Sequence, residues 1–356
     1  MRVALTGPMQ SGKSTLFTAV AAAGGSNVDL SRPDQPHLAV VKVPDVRLDW
    51  LSDFYHPKKY TPAELEFVDF PGFDLSDEAG RERAKAHWAA MRQADMLVFV
   101  VRAFKSDSVS AYRNRVDPLA DLRELMAEMI FADLDQVMTR IGKLDAAIKK
   151  PTAHREEQQR ELDLMKRLQN ALESEQRVSS ALASDAETKL VRSFAFLSEK
   201  PMLVVLNCSE DELSAKSDET IESLPCLKLS AKIEAEISQL EPSERAEFMA
   251  DLGLGESARD RLIRACYTRM NLVSFLTVGE DEVRAWTIPA GADAVTAAAE
   301  IHSDIARGFI RAETVSFEDL RATGDMKAAK AAGKMRLEGK NYVVRDGDVI
   351  NFRFNV

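Results

Sequence analysis

The stretch Gly7-Pro8-Met9-Gln10-Ser11-Gly12-Lys13-Ser14 constrains this chain more than any other feature. Two glycines bracket four residues, and lysine and serine follow at once. Glycine lets the backbone curl until successive N–H groups point inward, and a helix starting at Lys13 adds the positive end of its dipole. Such a cradle selects the anionic tail of a nucleoside triphosphate. On this reading Gln10, Ser11, Gly12 and Lys13 surround the phosphates, with Lys13 reaching the β and γ groups and carrying the catalytic charge. The Ser14 hydroxyl ligates Mg²⁺ and Thr15 takes the α phosphate. An apolar run, Val3 to Leu5, precedes the loop and a helical opening, Leu16-Phe17-Thr18-Ala19-Val20, follows it.

Further apolar runs of strand length lie at Leu38 to Val43, Leu65 to Val68, Met96 to Val101 and Met202 to Leu206, with Leu227 to Leu229 as a short addition. Helical stretches separate several of them, which predicts an α/β sheet covered on both faces. At 356 residues the chain exceeds what one core usually serves, so several folded units are expected.

Residues 116–199 differ in composition. Ile130, Leu134, Val137, Ile141, Leu144 and Ile148 step by four and three, the spacing of a coiled-coil seam. After Pro151 a weaker seam resumes through Leu162, Met165, Gln169 and Leu172. The segment therefore reads as an antiparallel helical hairpin with its tip between Lys149 and Arg155. From 271 to 356 the pattern changes again. Val273 to Val278 and Val283 to Ile288 flank a turn at Gly279 to Asp281, a helix covers Ala292 to Ile305, and strands are predicted at Met335 to Leu337, Tyr342 to Val344 and Val349 to Phe354. This is a small α+β module with a ubiquitin-like roll. The domain boundaries on this reading are 1–115 with 200–270, 116–199, and 271–356.

The net charge of −10 repels a phosphate backbone at long range, so nucleic acid could be met only through a local basic patch. Lys149, Lys150, His154 and Arg155 gather such charge at the hairpin tip, although a solvated helix end is the better explanation, since surface helices routinely carry such charges. The three cysteines have no C-x-x-C spacing, which fits buried thiols in a reducing compartment. No apolar run reaches the length of a membrane span, and no signal-like stretch follows Met1. A cytoplasmic chain acting as a monomer is expected.

Asp69-Phe70-Pro71-Gly72 follows the third strand, where a carboxylate can steer Mg²⁺ through water and a glycine amide can sense the γ phosphate. After the fifth strand, Asn207-Cys208-Ser209-Glu210 stands where guanine-selective enzymes carry N-K-x-D. The extra methylene of Glu210 spoils the paired acceptors that a guanine needs, which weakens guanine preference. Ser230-Ala231-Lys232 completes the candidate base loop. His302 reads as structural, and His87, nearer the phosphate loop, as a surface helix position or a γ-phosphate neighbour.

These loops, together with Val43-Pro44-Asp45-Val46-Arg47-Leu48, Gly308-Phe309-Ile310-Arg311-Ala312-Glu313 and the end from Glu338 to Val356, resemble the YchF or Obg-like ATPase family across nearly the whole chain. The resemblance implies a P-loop NTPase G domain interrupted by a coiled-coil hairpin and followed by a TGS domain. It also implies ATP as the substrate rather than GTP, slow hydrolysis, and a ribosome or RNA partner. Phe73 occupies the position at which related GTPases place a water-orienting glutamine. The chain departs from the family at Gln10, at Ser31 to Pro36 where a threonine is expected, and at Phe73 to Gly80, which replaces a glycine-rich segment. Two functions follow: a slow Mg²⁺-dependent ATPase, or a nucleotide-binding interaction module with little hydrolysis.

Overall fold

The computed structural model describes residues 1–22, 29–149, 154–213, 219–252 and 254–355. Lys150, Pro151 and Val356, named above, lie outside these. In chain order the strands are β1 (Arg2–Thr6), β2 (His37–Lys42), β3 (Lys59–Thr61), β4 (Glu64–Asp69), β5 (Met96–Arg102), β6 (Met202–Asn207), β7 (Glu219–Ile221), β8 (Leu224–Leu229), β9 (Leu272–Thr277), β10 (Glu282–Pro289), β11 (Phe309–Ser316), β12 (Arg336–Glu338) and β13 (Asp348–Phe354). The chain divides into two compact units, residues 1–39 with 66–258, and residues 40–65 with 259–356.

The first unit carries a sheet in the order β2-β4-β1-β5-β6-β8-β7. Strand β1 runs parallel to β4 and β5, and β6 runs parallel to β5 and β8. Every residue of β5 and β6 is buried, which is why these strands read as unbroken apolar runs rather than alternating ones. Parallel order places all the connecting loops that matter at one edge, beyond the carboxyl ends of the strands, where open α/β sheets hold their ligands.

Two long helices pack together as the arms of the expected hairpin. Its arms are Pro118–Ile148 and Arg155–Glu173, joined by one apolar seam containing Ile130, Val137, Leu144, Leu162, Met165 and Leu168. Arg140 clamps Glu161 across the arms with two hydrogen bonds of 2.7 and 2.8 Å. One seam position is corrected: Leu168 is fully buried, whereas Gln169 turns outward and bonds Glu173 at 2.7 Å. Leu164, Leu168 and Leu172 are four apart, so the stripe follows successive turns rather than alternating steps.

At the first turn of the long arm, Asp121 is 2% exposed and its carboxylate lies 3.2 Å from Arg115. Burial pushes its pKa up to about 6, against the opposing pull of Arg115. An unfolded aspartate titrates near about 3.9. Between these values the folded chain binds more protons than the unfolded one, so this group's contribution to stability falls as pH rises from about 4 to 6. Asp121→Asn is therefore expected to be more stable than the wild type at pH 8 by about 1–3 kcal/mol, with the gap closing towards pH 4. Urea melts at the two pH values check this; a constant gap would refute it.

The second unit holds a sheet in the order β12-β11-β13-β9-β10-β3, with Phe275, Ile288, Ile350 and Phe352 packed against the helix Ala294–Ile301. The Val43–Leu48 stretch serves this unit. Arg47 bridges Asp45 and Asp346, and the carboxylate of Asp346 also accepts the amide of Ser274.

Three expectations need correction here. Tyr342 to Val344 forms no strand; its backbone instead bonds Ala294 and Ala292 at 2.8 and 3.0 Å around a single bridge. The helix from 292 to 305 is two, broken at His302, whose extended backbone ends the first while its Nδ1 accepts the amide of Asp304 at 3.1 Å. Strand β11 and the helix Phe317–Thr323 were not foreseen.

Candidate functional site

The phosphate loop leaves β1 and enters the helix Lys13–Ala22. Gln10 and Gly12 have positive φ, 62° and 84°. A Cβ on Gly12 would sit 2.1 Å from Asn207 Nδ2, and one on Gly7 would sit 2.2 Å from the carbonyl oxygen of Val100. Both glycines are therefore demanded by close approach, and Gly12 by conformation as well. The Ser11 hydroxyl is buried without a hydrogen-bond partner, an orphaned donor inside the curl.

Lys13 and Asp69 are 4% and 3% exposed and form an ion pair at the mouth of this curl. Burial lowers the pKa of the Lys13 amine, and the Asp69 carboxylate opposes that shift. The segment after β4 is zipped onto the loop: Phe73 N donates to Gly7 O and Met9 N to Phe73 O, each at 3.0 Å. Gly72 is forced by the same closeness, since a Cβ there would lie 2.9 Å from Met9 Cα. Phe73 itself is 2% exposed and stacks on Trp88 at 4.6 Å.

A cavity of about 920 Å³ opens beside the loop. Gln10, Ser11, Gly12, Lys13, Ser14 and Thr15 line it together with Asp69 and Gly72. A triphosphate fits these residues: a loop turned by positive φ at Gln10 and Gly12, one buried ammonium and an unpaired hydroxyl. Among the described residues no cluster of three metal-ligating side chains exists. Mg²⁺ needs none, since it binds through one or two protein oxygens plus phosphate and water. The exposed Ser14 hydroxyl and the Asp69 carboxylate suit that donor set.

The base-loop candidates stand apart from this cavity. Asn207 is buried and acts as a strut, donating from Nδ2 to Ser11 O at 2.8 Å and accepting the amide of Ala231 at 2.9 Å. It thereby locks the phosphate loop to the start of the helix Ala231–Gln239, which Ser230 caps through Ile233 N. Glu210 and Lys232 are exposed, Glu210 at the start of a short turn and Lys232 loosely facing Glu236 at 3.9 Å. The three cysteines are free and buried.

Arg102, His37 and Arg83 escaped sequence reading, whereas Asp34 and Gln35 belong to the Ser31 to Pro36 stretch and His87 already reads as a candidate γ-phosphate neighbour. Arg102 is buried at the end of β5 and gathers the carbonyls of Phe104, Val109 and Ser110, so it shapes the loop beside Gly12. The segment around Asp34, Gln35 and His37 lines the cavity. The helix Glu78–Met91 contributes Arg83 and His87. The spacing of Gly80, Arg83, Ala84 and His87 was the available signal, because those offsets fall on one helix face.

Two family profiles match the chain: one described as "50S ribosome-binding GTPase" over residues 2–134, and the YchF-GTPase C-terminal profile, described as "Protein of unknown function (DUF933)", over residues 272–355. "Ribosome-binding ATPase YchF" of Bacillus subtilis (strain 168) is 41% identical over 97% of this chain and 96% of its own. "Obg-like ATPase 1" of Oryza sativa subsp. japonica is 32% identical over 100% of this chain and 92% of its own. The structure of the Schizosaccharomyces pombe YchF GTPase superposes with a TM-score of 0.85 at 27% identity, covering 99% of this chain and 97% of that one. With relatives matching over more than nine-tenths of their length and the phosphate loop seated at the strand ends, the chain belongs to the YchF/Obg-like ATPase family of P-loop NTPases.

Proposed function

We propose that this protein binds ATP in preference to GTP with Mg²⁺, hydrolyses it slowly to ADP and phosphate, and acts as a monomeric, cytoplasmic, ribosome-associated switch. The observation that carries the reading is the buried Lys13–Asp69 pair at the mouth of the phosphate loop. Lys13 holds the β and γ phosphates through its ammonium group. Gln10, Ser11, Gly12 and Thr15 contribute amides and hydroxyls, and Gly72 reports the γ phosphate to the segment after β4. Mg²⁺, held by Ser14 and through water by Asp69, supplies neutralisation of phosphate charge. Asn207, Glu210, Ser230, Ala231 and Lys232 form the base side. A relative named as a ribosome-binding ATPase and a family profile described as a 50S ribosome-binding GTPase support the ribosome as partner and hydrolysis as activity. The domain boundaries proposed remain 1–115 with 200–270, 116–199 and 271–356. No helix among the described residues is long and apolar enough to cross a membrane.

Base preference is tested by competition titration of ATP and GTP in Mg²⁺. Each donor left unpaired costs about 1–3 kcal/mol, so ATP should bind about tenfold tighter or better. Equal affinities would defeat the role given to Glu210.

A second reading, a binding module without useful hydrolysis, is favoured by Phe73, whose phenyl ring is buried against Trp88 and offers water no hydrogen bond. Single-turnover phosphate release separates the two readings: tight binding without release establishes the module.

A further inference from the structure

Hydrolysis needs a group that holds the attacking water and a charge that steadies the departing phosphoryl group, and Phe73 supplies neither. The helix that follows it faces the same cavity. Asp77 caps this helix by accepting the amide of Gly80 at 2.7 Å, and Gly80 has no room for a side chain, since a Cβ would meet the carbonyl oxygen of Asp74 at 1.8 Å. That approach presses one face of the helix onto the segment after β4. Along this face Gly80, Arg83, Ala84 and His87 all line the 920 Å³ cavity beside Lys13.

Arg83 and His87 are one turn apart, and neither has an ion pair or hydrogen bond among the described residues. Lys13, Asp69 and Asp74 beside them are committed, although Asp74 also feels the charge of Arg83. Lys13 is engaged with Asp69, and Asp74 accepts both the amide and hydroxyl of Ser76. The His87 ring is half-buried, 6.0 Å from the ring of Phe73.

We propose that Arg83 and His87 are the catalytic pair for hydrolysis at this site: His87 holds the attacking water and Arg83 neutralises the γ phosphate. This rests on the reading of the site as an ATPase. In the step, the water oxygen forms a bond to the γ phosphorus as the bond from that phosphorus to the β–γ bridging oxygen breaks. The electron pair stays on ADP, and the water proton passes to the unprotonated ring nitrogen of His87 before release to solvent. Burial, and then the positive charge of Lys13, hold this imidazole below its ordinary pKa, in the form that accepts a proton at neutral pH. The other titratable groups around the cavity are Asp34, His37, Asp69, Asp74 and Arg83.

The test uses the full-length protein with Mg·ATP, measuring affinity by calorimetry and single-turnover phosphate release across pH. His87→Ala is expected to lower the release rate about 100-fold or more while changing affinity less than about threefold. Arg83→Ala is expected to lower it by a similar factor, about 100-fold. The wild-type rate should decline on the acid side below the ordinary histidine range, and His87→Gln, which keeps hydrogen bonding but cannot take the proton, should lose that decline. Should His87→Ala bind nucleotide poorly, His87→Gln decides. A His87→Gln rate within about threefold of wild type with the acid decline intact overturns the proposal. Wild-type rates in His87→Ala also overturn it, leaving the ATPase reading in place. No release from the wild type overturns both.

Discussion

Lys13→Ala is expected to slow single-turnover hydrolysis about 100- to 1,000-fold and to weaken triphosphate binding, the effect of deleting one preorganised charge aimed at developing negative charge. The substitution also strands Asp69, 3% exposed, without its ion-pair partner. A buried carboxylate left unpaired is costly. Binding of ATP should therefore fall further than loss of one contact would predict, because the unpaired carboxylate then repels the anionic triphosphate. Lys13→Arg keeps the charge but not its compact shape, and should recover stability before activity. Calorimetry with ATP and ADP, beside phosphate-release kinetics, measures both effects. Unchanged ATP affinity in Lys13→Ala would remove the phosphate loop from the function.

The largest effect on folding is expected at Asp133, which is fully buried midway along the long hairpin arm. Its carboxylate accepts from Arg92 at 2.7 Å, from the amides of Leu197 and Ser198 at 3.0 and 2.8 Å, and from the Ser198 hydroxyl at 2.7 Å. Four donors thus converge from two places, Arg92 at the end of the helix Glu78–Met91 and Leu197 with Ser198 on the approach to β6. Asp133→Ala leaves the amides of Leu197 and Ser198 and the Ser198 hydroxyl without this acceptor and Arg92 with only the carbonyls of Ala132 and Ala195, and should destabilise the first unit by about 3–5 kcal/mol in urea melts. Asp133→Asn keeps shape and one acceptor, and should cost less. Ser198→Ala, which removes two hydrogen bonds, one given to Asp133 and one accepted from the amide of Val178 at 3.1 Å, should cost about 1–3 kcal/mol. A loss below that of Ser198→Ala on changing Asp133→Ala would show that Arg92 and the two amides find other partners.

The legible parts of the fold share a physical property: their signals are local. Strands β5 and β6 announce themselves because burial on both faces permits only apolar residues. The seam from Ile130 to Leu144 shows because one helix stripe must meet another. Strand β11 stayed hidden because a register shift between Phe309 and Arg311 breaks its alternation, putting Ile310 and Arg311 both outward. Tyr342 to Val344 has the composition of a strand, yet its backbone partners lie about fifty residues earlier in the chain, at Ala292 and Ala294.

The site divides in the same way. Residue type alone determined the phosphate cradle, since Gly12 at φ 84° leaves a lysine and a serine at the start of a helix with few alternatives. Family membership was likewise readable from motifs strung along one dimension. Only the tertiary structure decided that Asn207 braces the phosphate loop, that Arg83 and His87 share the cavity with Lys13, and that residues 40–65 pack with the C-terminal segment. Backbone curvature follows from short-range sterics that a few residues encode. Which side chains meet across a cavity depends on how distant elements stack, and that is set by the whole core at once.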